Sequence, residues 1–258
     1  MTLEVLISTM NQTDYSLLEK MNVQSDAIVI NQCGNYSYHE FLYNGHRIKW
    51  YSVDEKGIGL SRNTALARSD SDIVLFADDD VVYVNNYVDL VIEAFKKNDR
   101  TDMFVFNILS ANPSRPEYVI QKSEQLRWYN CLKYGACRIA IRRERLLRKN
   151  VWFSLLFGGG AIHQAGEDNL FISNCINAGL LCFSNPVTIG TAEQKESTWF
   201  KGYNDSYYYD RGSLFAALYN WKAYIVVILF EIKTKEKIKN KWAHLKCEIE
   251  GINRFLKS

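Results

Sequence analysis

The most constraining feature of the sequence is an apolar run at residues 73–77 that stops at three consecutive aspartates, Asp78, Asp79 and Asp80. The run IVLFA is typical of a fully buried strand. Adjacent carboxylates repel one another, so without a cation at least one of them would have a strongly raised pKa. A divalent cation such as Mg²⁺ or Mn²⁺ removes that cost, and it takes carboxylate oxygens together with phosphate oxygens of a substrate.

The aspartate triplet also has a second interpretation, in which it forms a solvated turn that caps the following helix. Aspartate is common in turns of this kind. The position of the triplet favours the metal site, because open α/β sheets bind ligands beyond the carboxyl ends of their strands.

The order of the elements predicts an α/β domain with a mostly parallel sheet flanked by helices. The predicted strands are residues 3–8, 27–30, 47–53, 73–76, 103–107, 118–121 and 136–141. The predicted helices are residues 15–21 after an N-cap at Asp14, a helix that begins near Ser61, residues 85–97, residues 142–149 and a helix that begins at Glu167. A length of 258 residues is expected to give one main domain and an appendage.

Two glycine-containing segments each lead into a helix with charged residues in its first turn. Residues 57–69 place Arg62 there, and a helix N-terminus with an arginine favours an anion; the alternative is an ordinary capped surface helix.

Residues 158–160 are three glycines, which allow a ligand to approach the backbone closely and allow the loop to move. Glu167 and Asp168 follow, and their alternative role is to complement the helix dipole.

Composition narrows the class of partner and the compartment. A net charge of +2 does not favour nucleic acid. The 16 tyrosines, 13 phenylalanines and 6 tryptophans suit sugar faces or membrane interfaces as well as an ordinary core.

The N-terminus lacks a basic leader followed by a long apolar segment, so we expect a mature cytosolic protein. The six cysteines form no C-x-x-C pair, and we interpret them as reduced, packed thiols.

A group of basic residues lies between residues 138 and 149. We predict that most of it forms a solvated face and that a smaller share meets substrate phosphate. Its members are Arg138, Arg142, Arg143, Arg145, Arg148 and Lys149.

The character of the sequence changes after Gly212. Residues 214–230 are apolar apart from Asn220 and Lys222, but they fall short of the roughly 20 residues that a membrane span needs. Residues 231–258 carry eight basic and four acidic side chains, a net charge of +4. Basic residues beside apolar ones suit an anionic membrane surface; the open alternative is a helical pair packed on the domain or on another subunit of a homo-oligomer.

Taken together, these motifs resemble the bacterial family 2 glycosyltransferases of the GT-A fold, over about residues 3–209. The motifs are polar strand ends near residues 9 and 31, ADDD at 77–80, and GGG…GED at 158–168. GLSRNTAL resembles that family's R-N-x-G/A-L helix, and GEDNLF followed by ESTWFKGYND resembles bacterial capsule and cell-surface polysaccharide transferases. The resemblance implies a GT-A domain at 1–211, and the rest, 212–258, is then a C-terminal helical segment that either associates with a membrane or packs as a helical pair.

The resemblance also implies a role for each of several residues. The donor-binding residues would be Thr9 and Asn11 in the nucleotide pocket, Asn31 at the base, Arg62 at the base or the diphosphate, and Asp78 or Asp79 at the ribose. The metal would bind Asp80 with Asp78. The catalytic base would be Asp168, beside Glu167 on the acceptor hydroxyl, and the sugar and acceptor pocket would be shaped by Gly159, Gly160 and Trp199. The chain departs from the family at Asn31 and Gln32, where an acidic pair is usual, and at Ala77 to Asp80, where the family pattern is D-x-D-D.

The activity implied is metal-dependent, inverting transfer of a sugar from a UDP-sugar to a saccharide acceptor carried on a polyprenyl diphosphate, in surface polysaccharide synthesis at the inner face of the cell membrane. Metal and Arg62 would stabilise the leaving diphosphate, while Asp168 deprotonates the acceptor. The alternative is a non-catalytic sugar-nucleotide-binding or membrane-scaffold protein of the same fold. A nucleotidyltransferase would need a glycine-rich basic loop after the first strand, which STMNQTDYS lacks.

Overall fold

A nine-stranded mixed sheet forms the centre of the described chain. The computed structural model describes residues 1–194, 202–233 and 238–257, apart from the side chains of residues 238 and 239. The strands are β1 (Leu3–Met10), β2 (Asp26–Gln32), β3 (Ser37–Tyr43), β4 (His46–Val53), β5 (Ile73–Asp78), β6 (Val81–Tyr83), β7 (Met103–Ser110), β8 (Ile139–Arg142) and β9 (Cys182–Ala192). Their order across the sheet is β3-β4-β2-β1-β5-β8-β7-β9-β6.

Helices cover both faces of this sheet. They are α1 (Leu17–Lys20), α2 (Ile58–Arg68), α3 (Tyr87–Lys97), α4 (Arg143–Arg148), α5 (Glu167–Asn177), α6 (Asp205–Tyr219), α7 (Ala223–Lys233) and α8 (Ile238–Phe255). Successive residues of β1 point to opposite faces, so Val5 and Ile7 join one apolar core and Leu6 joins the other. The predicted α/β fold, with a mixed sheet flanked by helices, is confirmed.

The parallel half of the sheet brings the polar strand ends together. Strands β4, β2, β1 and β5 run parallel, and their register sets Thr9 opposite Asn31 and Ser8 opposite Asp78. The other half is mixed, because β8 and β6 pair antiparallel with their neighbours while β7 and β9 pair parallel. The carboxyl ends of β1, β2 and β5 therefore meet at one edge.

Two predicted elements were wrong. Residues 118–121 form no strand, because the side chain of Asn107 bonds both the N–H and the C=O of Ile120 and so replaces a strand partner. The helix predicted at 15–21 is the shorter α1, with Ser16 as its N-cap; Asp14 instead accepts hydrogen bonds from the backbone and hydroxyl of Ser16.

Three strands were missed. A hairpin joins β3 to β4 through Asn44 and Gly45, whose φ angles of 51° and 85° are the positive values that a type I′ turn requires. The short β6 was missed, and so was β9, which contains Pro186 and pairs with β7 through register shifts. Irregular pairing of this kind hides the alternation that a strand prediction depends on.

The basic group at residues 138–149 is divided: Arg145, Arg148 and Lys149 are exposed, as predicted, but Arg138 and Arg142 are used inside the domain. Arg138 is only 1% exposed and donates to the backbone oxygens of Ile108 and Tyr118. Arg142 donates to the backbone oxygens of Thr101 and Phe95. These two guanidinium groups satisfy backbone carbonyls, so they have a structural use inside the domain.

The C-terminal helices pack closely on one another. A Cβ atom at Gly212 would lie 2.1 Å from the carbonyl oxygen of Glu248, and one at Gly251 would lie 2.1 Å from that of Tyr209. Helices α6 and α8 therefore meet at their backbones. Helix α6 already begins at Asp205, so the predicted boundary between residues 211 and 212 falls inside a helix.

Replacing Gly251 with alanine is expected to destabilise the protein by about 1–3 kcal/mol, because the added methyl group meets the backbone of α6. Helix propensity alone predicts the opposite sign, a gain of about 1 kcal/mol. Chemical denaturation measures the difference. Glu250→Ala, at an exposed position of α8, is the matched control and should change stability by less than about 0.5 kcal/mol. Unchanged or raised stability of Gly251→Ala would contradict the close packing of α6 on α8.

Candidate active site

A cavity of about 830 Å³ lies at the carboxyl ends of β1 and β5. This volume is within the range of pockets that hold small-molecule ligands. The structure brings eight of the predicted site residues to its walls: Thr9, Arg62, Asp78, Asp79, Asp80, Gly159, Glu167 and Asp168. These residues come from β1, α2, the end of β5, the loop at residues 158–166, which we name the glycine loop, and the start of α5.

The three aspartates have three different environments. Asp78 Oδ1 accepts a hydrogen bond from Arg62 Nη2 at 2.8 Å. Asp79 Oδ2 accepts one from the hydroxyl of Thr9 at 2.6 Å. Asp80 Oδ2 accepts one from the backbone N–H of Gln194 at 3.1 Å, and its carboxylate makes no ion pair with any residue that the structure describes. The triplet is therefore divided chemically: among the described residues only Asp78 has a cationic partner, while Asp79 and Asp80 accept hydrogen bonds from neutral groups.

A divalent cation fits this arrangement when the substrate supplies ligands. Burial is the largest cause that raises the pKa of Asp80, and repulsion from Asp78 is the second. A cation would relieve both costs. Within the described ranges, no group of three or more His, Cys, Asp or Glu side chains could hold a metal without other ligands. Mg²⁺ and Mn²⁺ sites of one or two carboxylates completed by phosphate oxygens are a common solution.

Arg62 is the buried centre of the site. Besides Asp78, its Nη1 donates to Glu167 Oε1 at 2.9 Å, and the guanidinium lies 5.2 Å from the centre of the Phe153 ring. Burial alone would lower the pKa of Arg62, but the charges of Asp78 and Glu167 raise it, so the side chain stays cationic. One guanidinium thus joins α2, β5 and α5.

Asp168 has the protonation behaviour expected of a general base. Burial, as the largest cause, and repulsion from Glu167, as the second, raise the pKa of Asp168 to about 7. The charge of Arg62 opposes this rise. Its Oδ1 accepts a hydrogen bond from the backbone N–H of Asn169. A base whose pKa lies near the working pH accepts a proton most effectively. Glu167, by contrast, is bonded to Arg62.

The glycine loop is fixed from both sides. The carbonyl of Gly159 accepts from the backbone N–H of Ile58 at the start of α2. On the other side, the carboxylate of Asp210 in α6 lies 2.8 Å from His163 Nδ1 and accepts from the N–H of Gln164 at 3.1 Å. A Cβ atom at Gly166 would lie 2.6 Å from the side chain of Leu214. Helix α6 therefore positions a wall of the cavity.

Four predicted site residues are not on the cavity wall that the structure describes. Asn11 is exposed outside it, with a φ of 55°. Asn31 is buried, and its side chain bonds the backbone N–H and C=O of Gln12. Gly160 is exposed and is not among the residues of the wall. Trp199 lies outside the described residues.

Several residues of the wall were missed by sequence reasoning. Lys20, Lys56 and Arg115 bring positive charge to a cavity rich in carboxylates. Lys56 directly precedes the glycine that starts α2, so the anion-binding signal noted there could have been extended to it. Lys20 and Arg115 lie on a short helix and a loop, which carried no such signal.

A chain of contacts supports the backbone that holds Asp80. Gln194 adopts a φ of 47°, and its side chain donates to Glu117 Oε1 at 2.6 Å. The other oxygen of Glu117 lies 3.9 Å from Nη1 of the buried Arg138. The residues are far apart along the chain, and no local pattern links them, so only the folded structure shows the arrangement.

Comparison with known proteins gives a family match and several similar solved structures. Residues 15–157 match the family model described as glycosyl transferase family 2. S. aureus TarS 1-349 in complex with UDP-GlcNAc is similar with a TM-score of 0.66 and 15% identity, over 98% of this chain and 82% of that one. The same protein in complex with UDP has a TM-score of 0.61 and 14% identity, over 99% and 83% of the two chains. No curated protein sequence matches this chain.

The raised pKa of Asp168 has a consequence for stability. In the unfolded chain Asp168 loses its proton above about pH 3.8, whereas in the folded protein it keeps the proton up to about pH 7. At pH 8 the ionised carboxylate is therefore less favourable in the folded state, and Asp168 lowers the free energy of unfolding. Asp168→Asn is therefore expected to stabilise the protein by about 1–3 kcal/mol at pH 8. The gain should shrink as the pH falls towards 4. Denaturant melts at several pH values measure it, and a variant less stable than the wild type at pH 8 would contradict the assigned environment.

Proposed function

The chain belongs to glycosyl transferase family 2, and on that basis we propose that it moves a sugar from a UDP-sugar to a saccharide hydroxyl with inversion, in a metal-dependent reaction. The observation that carries the proposal is the pair of environments joined by Arg62 in one cavity. On one side Arg62 bonds Asp78 of the aspartate triplet, and on the other it bonds Glu167, the neighbour of Asp168. Stabilising the leaving diphosphate needs positive charge, and removing the acceptor proton needs a negatively charged base. This cavity has groups of both kinds.

We place the diphosphate of the donor between the aspartate triplet and the start of α2. Lys56 and Arg62 line this part of the cavity, and the first backbone N–H groups of α2 favour an anion. The hydrogen-bonded pair of Thr9 and Asp79 is our candidate for the ribose. The TarS complexes with UDP-GlcNAc and UDP support a nucleotide sugar as the class of donor.

Mn²⁺ or Mg²⁺ would be held by Asp80, with Asp78, and by oxygens of the donor diphosphate. When bound, it would neutralise the charge that develops on the leaving diphosphate. Arg62 contributes to the same end as a fixed, buried cation that needs no reorganisation during the reaction.

Asp168 acts as the base in this scheme. The bond from the acceptor oxygen to the anomeric carbon forms while the bond from that carbon to the diphosphate breaks, and the hydroxyl proton passes to the Asp168 carboxylate. Attack from the face opposite the leaving group inverts the anomeric centre. The ion pair of Glu167 with Arg62 fixes the start of α5, so Glu167 positions Asp168.

We propose a saccharide on a polyprenyl diphosphate as the acceptor and the inner face of the cell membrane as the place of reaction, within surface polysaccharide synthesis. The apolar C-terminal helices support the membrane location. The alternative, a non-catalytic protein of the same fold, would bind the sugar nucleotide and transfer nothing.

Asp168→Asn tests the proposal most sharply. It keeps the size and polarity of the side chain but removes the proton acceptor, so transfer should fall by roughly 10²- to 10⁴-fold. Donor affinity should barely change. The measurement is sugar transfer, or release of UDP from a panel of UDP-sugars, with Glu167→Gln and an exposed Asp89→Asn in α3 for comparison.

The comparison variants separate the interpretations. Normal transfer by Asp168→Asn with loss in Glu167→Gln would move the base to Glu167. Normal transfer by both would contradict the mechanism, and no turnover by the wild type despite donor binding would favour the non-catalytic alternative.

A further inference from the structure

One face of α7 and the turn before it is apolar and exposed. It consists of Trp221, Ile225, Ile228, Leu229 and Ile232, which are between 45% and 69% exposed. Spacings of three and four residues place these side chains on one side of a helix. We name this surface the α7 face.

The opposite side of α7 is anchored in the protein. Ala223 and Val227 are fully buried in a small core with residues of α6 and α8. Glu231 is also buried and pairs with Arg211 of α6. The α7 face is therefore held in a fixed orientation, and apolar side chains of this number are rarely left uncovered on a monomer.

Among the described residues of α7 and its two ends, the exposed charged side chains have one sign. Lys222 and Lys233 lie at the two ends of the helix and are exposed. The only carboxylate within α7, Glu231, is turned inward to Arg211. Trp221, at one end of the face, is 61% exposed. Lysines and a tryptophan at the edge of an apolar surface are typical of contact with an anionic membrane interface.

We propose that the α7 face docks in the interfacial region of an anionic lipid bilayer. A second copy of this chain would bring the same lysines near one another, and like charges repel. A partner protein chain would need carboxylates placed opposite Lys222 and Lys233. Lipid phosphates complement them directly. The docking itself does not rest on the proposed function; the purpose that we give it, access to a polyprenyl-linked acceptor, does.

The structure favours docking over spanning. Within the described residues, one helical stretch, Asp205–Lys233, passes for a membrane span by length and composition. Its backbone breaks at Asn220, where φ is 54° and ψ is −138°, and the first part, α6, is packed against α8. Helix α7 alone has 11 residues, about 16 Å, roughly half of the hydrocarbon thickness.

Docking would also orient the catalytic cavity. Helix α6 precedes α7 directly and carries Asp210, whose carboxylate holds His163 and Gln164 of the glycine loop. A bilayer that contacts α7 is thus connected to the cavity wall through one rigid helical pair.

Flotation of the full chain with vesicles tests the proposal. Vesicles of equal parts phosphatidylglycerol and phosphatidylcholine should carry the wild type upward, while pure phosphatidylcholine should carry much less. Exchanging Ile225, Leu229 and Ile232 for serine should lower the bound fraction at least about tenfold. Lys222→Gln with Lys233→Gln should lower binding to the anionic vesicles only. Leu42→Ser, at a leucine that is 74% exposed on β3, is the matched control and should bind like the wild type.

Two further readouts keep the outcome unambiguous. Thermal melting and UDP affinity of each variant should equal those of the wild type, so a loss of flotation with intact UDP binding concerns the α7 face alone. Equal flotation of the serine variant, or no flotation of the wild type, would overturn the proposal. A wild-type dimer in light scattering that becomes a monomer in the serine variant would also overturn it and assign the face to a second copy.

Discussion

The structure depends most on the buried guanidinium of Arg62, which bonds Asp78 at the end of β5 and Glu167 at the start of α5. Removing one partner of a buried ion pair is costly, because an uncompensated charge then stays in the interior. The two carboxylates and the arginine are therefore fixed relative to one another by more than packing. This arrangement sets the separation between the aspartate triplet and Asp168, the two groups on which the proposed chemistry depends.

Carboxylates of similar intrinsic acidity acquire different roles from their surroundings. Asp78 is paired with Arg62, Asp79 is bonded to the hydroxyl of Thr9, and Asp80, our proposed metal ligand together with Asp78, is bonded to a backbone N–H. Asp168, partly buried beside a second negative charge, keeps its proton to about pH 7. Environments that push carboxyl pKa values apart are a common way for one site to bind a cation and accept a proton. The cavity also depends on the C-terminal helices, since Asp210 holds the glycine loop.

Much of the fold and the centre of the site could be predicted from the sequence, because strong local patterns specify both. Apolar runs that end in polar residues mark parallel strands, and the carboxyl ends of such strands necessarily meet, which is why Thr9 and the aspartates share a cavity. Arg62 of α2 joins them through its bond to Asp78. Asn11 and Asn31 share the strand-end pattern but do not line the cavity. Asn31 is bonded to the backbone of Gln12, and a sequence pattern shows neither such local bonding nor the orientation of a side chain. Contacts between distant residues, such as Gln194 with Glu117, have no local signal at all.

The central claim is that Asp80 binds a divalent cation together with the diphosphate of a donor. Calorimetric titration of UDP into the protein, with Mn²⁺ and with EDTA, tests it most directly. We expect UDP to bind at least about tenfold more tightly with Mn²⁺, and Asp80→Ala to abolish that difference while its thermal melting is unchanged, because a strand-end carboxylate contributes little to the core. Equal UDP affinity with Mn²⁺ and with EDTA in the wild type would contradict the account.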